Sequence, residues 1–481
     1  MPSALLNNLN AAQKKAVCHN DGPLLIVAGA GTGKTTVVTR RIAWLIEQKL
    51  AQSEEILALT FTDKAAGEME ERVDKLLPIG YVNTWISTFH AFGERILQDY
   101  ALEIGLPNEF RLLSGGEQWM LIRNNLDRFT LNYYRPLGNP TRFIHALLQH
   151  FSRAKDEEVA PGDYLAYVKD LALNKDTEQD EISRLQEVAD AYHVYQQLLL
   201  EHSAMDFGDL INYTLKLLRT RPRVLNELRA RFKYILVDEF QDTNYAQYEL
   251  VKLLAAPKNN ITVVGDDDQS VYKFRGASIS NILEFKRDYP TCAEVFLNQN
   301  YRSFQGILNT AYTFIQQNNP YRLEVTLKSK GKAGLSKKLI ADRSGISEVA
   351  YLSFETGPDE TEGVVKKIFE LRARENATWS DFAILVRANS SAPAFLQALA
   401  RYKIPFDYVA NRGLYATPII LEVISYLRLL DNFHDSDALY RILTREPFAI
   451  PHGDLVALAA YAKKKTIPLY DALTPTEALS K

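Results

Sequence analysis

Leu24-Leu25-Ile26-Val27-Ala28-Gly29-Ala30-Gly31-Thr32-Gly33-Lys34-Thr35-Thr36 is the stretch whose reading decides the fold. Four apolar residues read as a short buried strand. A glycine-rich turn follows, and then a helical pattern from Lys34 to about Ile46. Strand, glycine turn and helix in that order form the context of a phosphate-binding loop. The glycines let backbone N–H groups turn inward onto phosphates, and the helix N-terminus adds partial positive charge at the same spot. Residues Ala28, Gly29, Ala30, Gly31, Thr32, Gly33, Lys34, Thr35 and Thr36 are therefore candidate nucleotide contacts. Lys34 is expected to reach the outer phosphates, and the Thr35 hydroxyl to join the shell of a magnesium ion. Ala28 stands where the strict pattern has its first glycine; at a strand end a methyl group is tolerated.

The chain has 481 residues, which suits two to four domains. Lys and Arg number 56 against 59 for Asp and Glu, a formal net charge of −3, so any nucleic-acid contact must use a local patch. Two cysteines, Cys18 and Cys292, cannot build a disulfide framework or a cysteine-rich metal site. The N-terminus lacks the basic start and apolar core of a secretory signal, and no apolar run reaches the ~18 residues of a membrane span. The expectation is a soluble cytoplasmic protein with no membrane partner.

Downstream, strands deliver polar clusters at their carboxyl tips again and again. The segment Asn10-Ala11-Ala12-Gln13 starts a short helix capped by Asn10, and the Gln13 amide is suited to the two-faced edge of adenine. The strand Ile56–Thr60 leads to Phe61 and Thr62; Phe61 is placed to stack on a base, and Thr62 to cap the next helix. The strand at Trp85 leads to Thr88 and His90, candidates for phosphate-backbone contacts. The strand Tyr234–Val237 delivers Asp238 and Glu239. Asp238 is suited to hold magnesium, and Glu239 to orient and deprotonate the water that attacks a γ-phosphate.

The strand Ile261–Val264 runs into Gly265-Asp266-Asp267-Asp268-Gln269, where Gln269 is placed to sense the γ-phosphate. The three aspartates lack the ligand spacing of a calcium loop. Tyr272 and Phe274 alternate with Lys273 and Arg275, the composition of a single-strand stacking platform. Glu294–Leu297 reads as a strand that crosses into a second α/β domain at Asn298. Beyond the crossing, Tyr301 is placed to stack on adenine and Arg302 to act as an arginine finger.

Between the loop and Asp238 the periodicity predicts helices over Gln118–Phe129, Thr141–Lys155, Pro161–Leu173 and Glu178–His202, a helical domain inserted into the first α/β domain. Past Ser303 the pattern predicts strands at Tyr351–Phe354 and Phe382–Val386, helices to about Arg374, over Ala392–Tyr402 and over Ile419–Leu430, and a mostly helical remainder.

The motifs AGAGTGKTT, TFTDKAAGEM, STFHAF, DEFQDTN, GDDDQSVYKFRGA and QNYRS, in this order and spacing, resemble the superfamily 1 DNA helicases of the UvrD/PcrA/Rep type. The resemblance runs from Leu9 to about Leu443. It implies an α/β fold of RecA-like P-loop motor domains with inserted helical domains. The implied division is 1–114 with 205–296 for the first motor domain, 115–204 for the first insertion, 297–430 for the start of the second motor domain and 431–481 for the start of a second insertion. It implies a 3′→5′ translocase on single-stranded DNA that unwinds 3′-tailed duplex DNA with ATP and Mg2+, in DNA repair or replication restart, with protein partners unknown.

In residue terms, the resemblance gives adenine to Gln13 and Tyr301, the γ-phosphate to Arg302, and base stacking to Phe61, Tyr272 and Phe274. Many family members have tryptophan where Phe274 stands and arginine where Thr36 stands. The family's late motifs, a strand tip near DNA and a second γ-phosphate arginine, do not occur in these residues. Leu443-Thr444-Arg445-Glu446 resembles the arginine motif only superficially and lies in the wrong place. The expectation is thus the N-terminal part of a longer helicase. The alternatives are a nucleotide- and DNA-binding fragment without full motor activity, and the motor part of a helicase–nuclease.

Overall fold

The computed structural model describes residues 4–77, 84–173, 178–270, 280–320, 322–325, 336–409, 418–446, 448–465 and 467–473. In chain order the strands are β1 (Leu24–Ala28), β2 (Ile56–Thr60), β3 (Trp85–Thr88), β4 (Arg111–Leu112), β5 (Ala204–Met205), β6 (Tyr234–Val237), β7 (Ile261–Gly265), β8 (Ala293–Leu297), β9 (Gln299–Asn300) and β10 (Ile340–Ala341). Six of them form one parallel sheet in the order β3-β2-β6-β7-β1-β8.

Near-continuous apolar runs explain why this sheet is parallel and covered on both faces. Every residue of β1, β2, β6 and β7 is buried. The alternation of side chains then sorts each strand between two cores. Leu25, Val27, Leu57, Leu59, Ile235 and Val237 face one. Leu24, Ile26, Ile56, Ala58, Tyr234 and Leu236 face the other.

The helix Ala11–Val17 is capped by Asn10 in a reciprocal capping box with Gln13. Its position against the sheet rests on Arg41, a fully buried side chain of the helix Lys34–Glu47. Arg41 donates to the carbonyls of Ala16 at 3.3 Å and Val17 at 3.2 Å, to that of His19, and to Thr262 Oγ1 at 3.0 Å on β7. Burial pulls its pKa down to about 10, against the opposing pull of Tyr234, Cys18 and Asp21. One cation thus ties the N-terminal helix, the loop helix and the central sheet together.

Between β4 and β5 lie the helices Gly115–Asn124, Ile144–Asp156, Pro161–Ala172 and Gln179–Glu201, around a core of their own that includes Phe151, Tyr192 and Tyr195. The first starts earlier than periodicity alone predicts, because Ser114 and Glu117 form a capping box. The β4–β5 pair joins the two ends of this segment. A buried ammonium adds to it: Lys155 Nζ lies 2.7 Å from Asp206 and 2.8 Å from Asp209, at the start of the helix Phe207–Thr220.

The chain divides into two compact units, Met1–Val349 and Ala350–Lys481. The second has helices at Gly357–Glu375, Ala392–Arg401, Pro418–Asp431, Ser436–Leu443, His452–Lys465 and Leu469–Ala472. The strands expected at 351–354 and 382–386 do not form; both segments are irregular. A strand is stable only with a neighbour to accept its hydrogen bonds. Among the described residues these two have none, and Tyr351 and Leu385 are over 90% exposed. No helix among the described residues is long and apolar enough to cross a membrane.

The Arg41 network yields one prediction. Arg41→Met should destabilise the fold by about 3 kcal/mol, because several buried carbonyls lose their donor at once. Urea unfolding measures it; an unchanged midpoint would show that these carbonyls find other partners.

Candidate nucleotide site

The turn after β1 bends through two left-handed glycines, Gly31 at φ +70° and Gly33 at φ +86°. Gly31 also needs its missing side chain for space: a Cβ there would sit 2.6 Å from Asn300 Nδ2 and 2.7 Å from Arg302 Cβ. Gly33 is the N-cap of the helix Lys34–Glu47 and brings no side-chain acceptor, so the first-turn N–H groups face the loop. Thr32 Oγ1 donates to the Gly29 carbonyl at 2.8 Å and fixes the turn.

This loop forms one wall of a cavity of about 380 Å³. Ala30, Gly31, Gly33, Lys34, Thr35 and Thr36 line it from the loop side; Glu239, Gln269, Tyr301, Arg302 and Arg72 close it from the others. Ala28 stays buried in β1. Ten residues proposed from sequence for nucleotide or catalysis therefore line one pocket, Ala30 among them.

The acidic pair arrives on β6. Asp238 N–H continues the ladder to the Leu59 carbonyl at 2.9 Å. The backbone then turns sharply, with Glu239 at φ +51°, a left-handed conformation that is strained for a non-glycine residue. The turn aims the Glu239 carboxylate at Lys34 Nζ, 2.6 Å away, and Gln241 Nε2 donates to the same oxygen at 2.8 Å. Gln269 Oε1 lies 3.4 Å from Lys34 Nζ. Asp238 is 5% exposed and accepts from the Glu239 N–H at 3.0 Å. Burial, followed by the charge of Glu239, pushes its pKa up to about 6.

Gln13 does not line the cavity; it is buried against the loop, accepts from Asn10 N–H and donates to the Thr32 carbonyl at 3.0 Å. Its amide is held against the loop backbone by these bonds. Asn10 Nδ2 donates to Tyr301 OH at 2.9 Å, and Tyr301 N–H to the Gly31 carbonyl at 2.9 Å. Asn300 Nδ2 donates to the Ala30 carbonyl at 2.6 Å, while its Oδ1 accepts from Arg302 and Ser303 N–H. The loop and the Tyr301–Arg302 segment are thereby stitched together.

The candidate DNA contacts sit at the tips of β2 and β3. Phe61 is half-buried. Thr62 Oγ1 accepts from Ala65 N–H and Thr88 Oγ1 from Ala91 N–H, both at 3.2 Å, so both hydroxyl oxygens cap helices. His90 packs edge-on to Phe207 at 5.5 Å, and burial holds its pKa below the usual histidine value, so the ring is neutral at pH 7. Tyr272, Phe274 and Arg275 lie outside the described residues.

Three residues of the site region escaped the sequence reading. Arg72 sits on the exposed side of the helix Asp63–Leu76, and only the crossover from β2 to β3 turns that side to the cavity. Asn300 reads as one polar residue in a polar run. Lys337 reads as a surface lysine, yet its ammonium sits among Asp266, Asp267 and Asp268, whose carboxylates converge within 4.8 Å.

Comparison with known proteins gives the family. Residues 9–290 match the UvrD/REP helicase N-terminal domain, and residues 295–480 the UvrD-like helicase C-terminal domain. The chain is 38% identical over 475 residues to the ATP-dependent DNA helicase PcrA of Staphylococcus epidermidis, covering 99% of this chain and 61% of that protein. It is 37% identical over 471 residues to PcrA of Staphylococcus aureus, covering 98% and 60%. The chain thus spans about three fifths of the length of these relatives, and with the family model matching more than half of it, this chain belongs to the UvrD/REP helicase family.

Proposed function

We propose that the chain hydrolyses ATP to move 3′→5′ along single-stranded DNA and to unwind 3′-tailed duplex DNA, in DNA repair or replication restart. The observation that carries this reading is the Lys34–Glu239 pair at 2.6 Å, inside one cavity shared with Gln269, Tyr301 and Arg302. Membership of the UvrD/REP family supports it, as does the printed name of the relatives, ATP-dependent DNA helicase.

The residues divide the chemistry as follows. Lys34 exchanges its carboxylate partner for the outer phosphates of ATP, with the loop amides cradling the rest. Glu239, released by that exchange, orients the attacking water and takes its proton. Gln269 senses the γ-phosphate. Arg302, with Arg72, stabilises charge that develops during transfer. Tyr301 stacks on adenine, and Gln13, already oriented by Asn10 and Thr32, reads its edge.

Asp238 and Thr35 would hold Mg2+, which when bound neutralises phosphate charge. The fit rests on Asp238: burial and the neighbouring Glu239 push this carboxylate up to about 6 against the charges of Lys34 and Arg72, so a divalent cation would favour its ionised form. Phe61, Tyr272 and Phe274 offer base-stacking faces; Thr62, Thr88, His90 and Arg275 are assigned to the phosphate backbone. A second reading, binding of nucleotide and DNA without full turnover, is favoured by one observation: residues 350–481 contain no strand among those described.

Two predictions follow from the site. Lys34→Ala and Glu239→Gln should each lower DNA-stimulated ATP hydrolysis at least ~100-fold, while Glu239→Gln still binds ATP. Stimulation that survives either change would overturn the assignment; binding without hydrolysis by the unaltered chain would select the second reading. The other concerns pH. Native Asp238 takes up its proton near pH 6 and the unfolded chain near pH 4, so the charged carboxylate costs stability above pH 6. In magnesium-free buffer, Asp238→Asn should raise stability at pH 8 by on the order of 2 kcal/mol. The gain should shrink as pH falls towards 4; equal melting at pH 8 would show that another cation compensates the carboxylate.

A further inference from the structure

The three aspartates after β7 do not face solvent as a polar tip would. Asp266 and Asp267 are buried, and each contacts Lys337 Nζ, Asp266 at 2.5 Å; Asp268 lies 2.9 Å from the same nitrogen. Arg322 adds a two-pronged contact to Asp268 at 2.7 and 2.6 Å, and Leu323 N–H donates to Asp267 at 2.8 Å. Where a metal ion would be sought among three converging carboxylates, the protein supplies its own ammonium.

The two oxygens of Asp266 have different partners. Oδ1 accepts from Lys337 Nζ and from Asp268 N–H at 3.2 Å. Oδ2 accepts from Gln269 Nε2 at 2.6 Å. A carboxylate accepts only, so it fixes which end of the Gln269 amide faces it and turns the carbonyl oxygen towards Lys34, 3.4 Å away. Asp266 N–H donates to Gln241 Oε1 at 3.0 Å, and Gln241 Nε2 reaches Glu239. Two hydrogen-bond chains therefore run from Asp266 to the Lys34–Glu239 pair, one through Gln269 and one through Gln241.

The segment that carries Lys337 braces the site elsewhere. Leu339 packs where a Cβ on Gly29 would stand, and β10 pairs with β9, whose continuation carries Tyr301 and Arg302. Displacing the two-stranded β9–β10 pair would pull Lys337 out of the aspartate cluster. Asp266, then a buried carboxylate without its cation, would no longer be held in place, and Gln269 would lose its fixed acceptor.

We infer that Lys337 is a positioning residue for Gln269, holding Asp266 so that the γ-phosphate sensor keeps its orientation and tying that orientation to the seating of the β9–β10 segment. This rests on the ATP reading of the cavity and adds to it the residue that sets discrimination between triphosphate and diphosphate. The test is the ratio of dissociation constants for ADP and for the slowly hydrolysed analogue AMP-PNP, both with magnesium, on the whole chain. Lys337→Met should lower the preference for AMP-PNP about tenfold and leave ADP affinity unchanged. Lys337→Arg, which keeps the charge, should stay within about threefold of the unaltered chain.

Gln269→Ala should show the same loss, and the double variant no further loss, because both changes act through one side chain. A preference unchanged in Lys337→Met, or losses that multiply in the double variant, would overturn the inference and leave the ATP reading intact. Failure of the unaltered chain to bind either nucleotide would overturn the ATP reading itself. If Lys337→Met does not fold, Asp266→Asn carries the test: it keeps the size, weakens the acceptor for Gln269, and should give the same selective loss; an unchanged preference again overturns the inference.

Discussion

Parallel strands place all their carboxyl ends on one edge, and that constraint organises this molecule. The glycine turn after β1, the acidic pair after β6 and the aspartate–glutamine tip after β7 are far apart in sequence. The order β6-β7-β1 makes their strands neighbours, so the three tips meet over one edge of the sheet. The continuous apolar runs that bury those strands on both faces hold the edge rigid. The site is a by-product of how the core is satisfied, sharpened by a few polar residues.

The polar groups at that edge are paired with one another. Lys34 holds Glu239, Gln241 bridges Glu239 to the next strand tip, Gln13 holds the loop backbone, and Asn300 stitches the loop to Tyr301 and Arg302. Each pairing keeps a donor or acceptor of the site satisfied. The left-handed backbone at Glu239 belongs to the same design: local strain is held in place because the carboxylate it aims is gripped by an ammonium.

Much of this was readable from residues. The turn, the acid pair and the strand tips are local patterns that stand where their spacing places them. The helices of the inserted segment follow from periodicity, and the cap on Asn10 from its neighbours. The misses are of two kinds. Strands expected at 351–354 and 382–386 fail because an apolar run encodes a willingness to pair and says nothing of whether a partner exists. Arg72, Asn300 and Lys337 were passed over because each is an ordinary polar residue in a polar run, and their importance lies in what the fold brings against them.

By itself, then, the sequence determined where the glycine turn and the polar strand tips lie, the helical character of the segment between β4 and β5, and the family to which the motif order points. Periodicity and turn chemistry act over a few residues, so those features need no tertiary knowledge. Only the tertiary structure decided that Asp238 is buried enough to hold its proton near pH 6, that Arg41 joins three elements, and that the three aspartates after β7 close on Lys337. Burial and long-range ion pairing depend on which distant segments the sheet order makes neighbours, and no local pattern records that order.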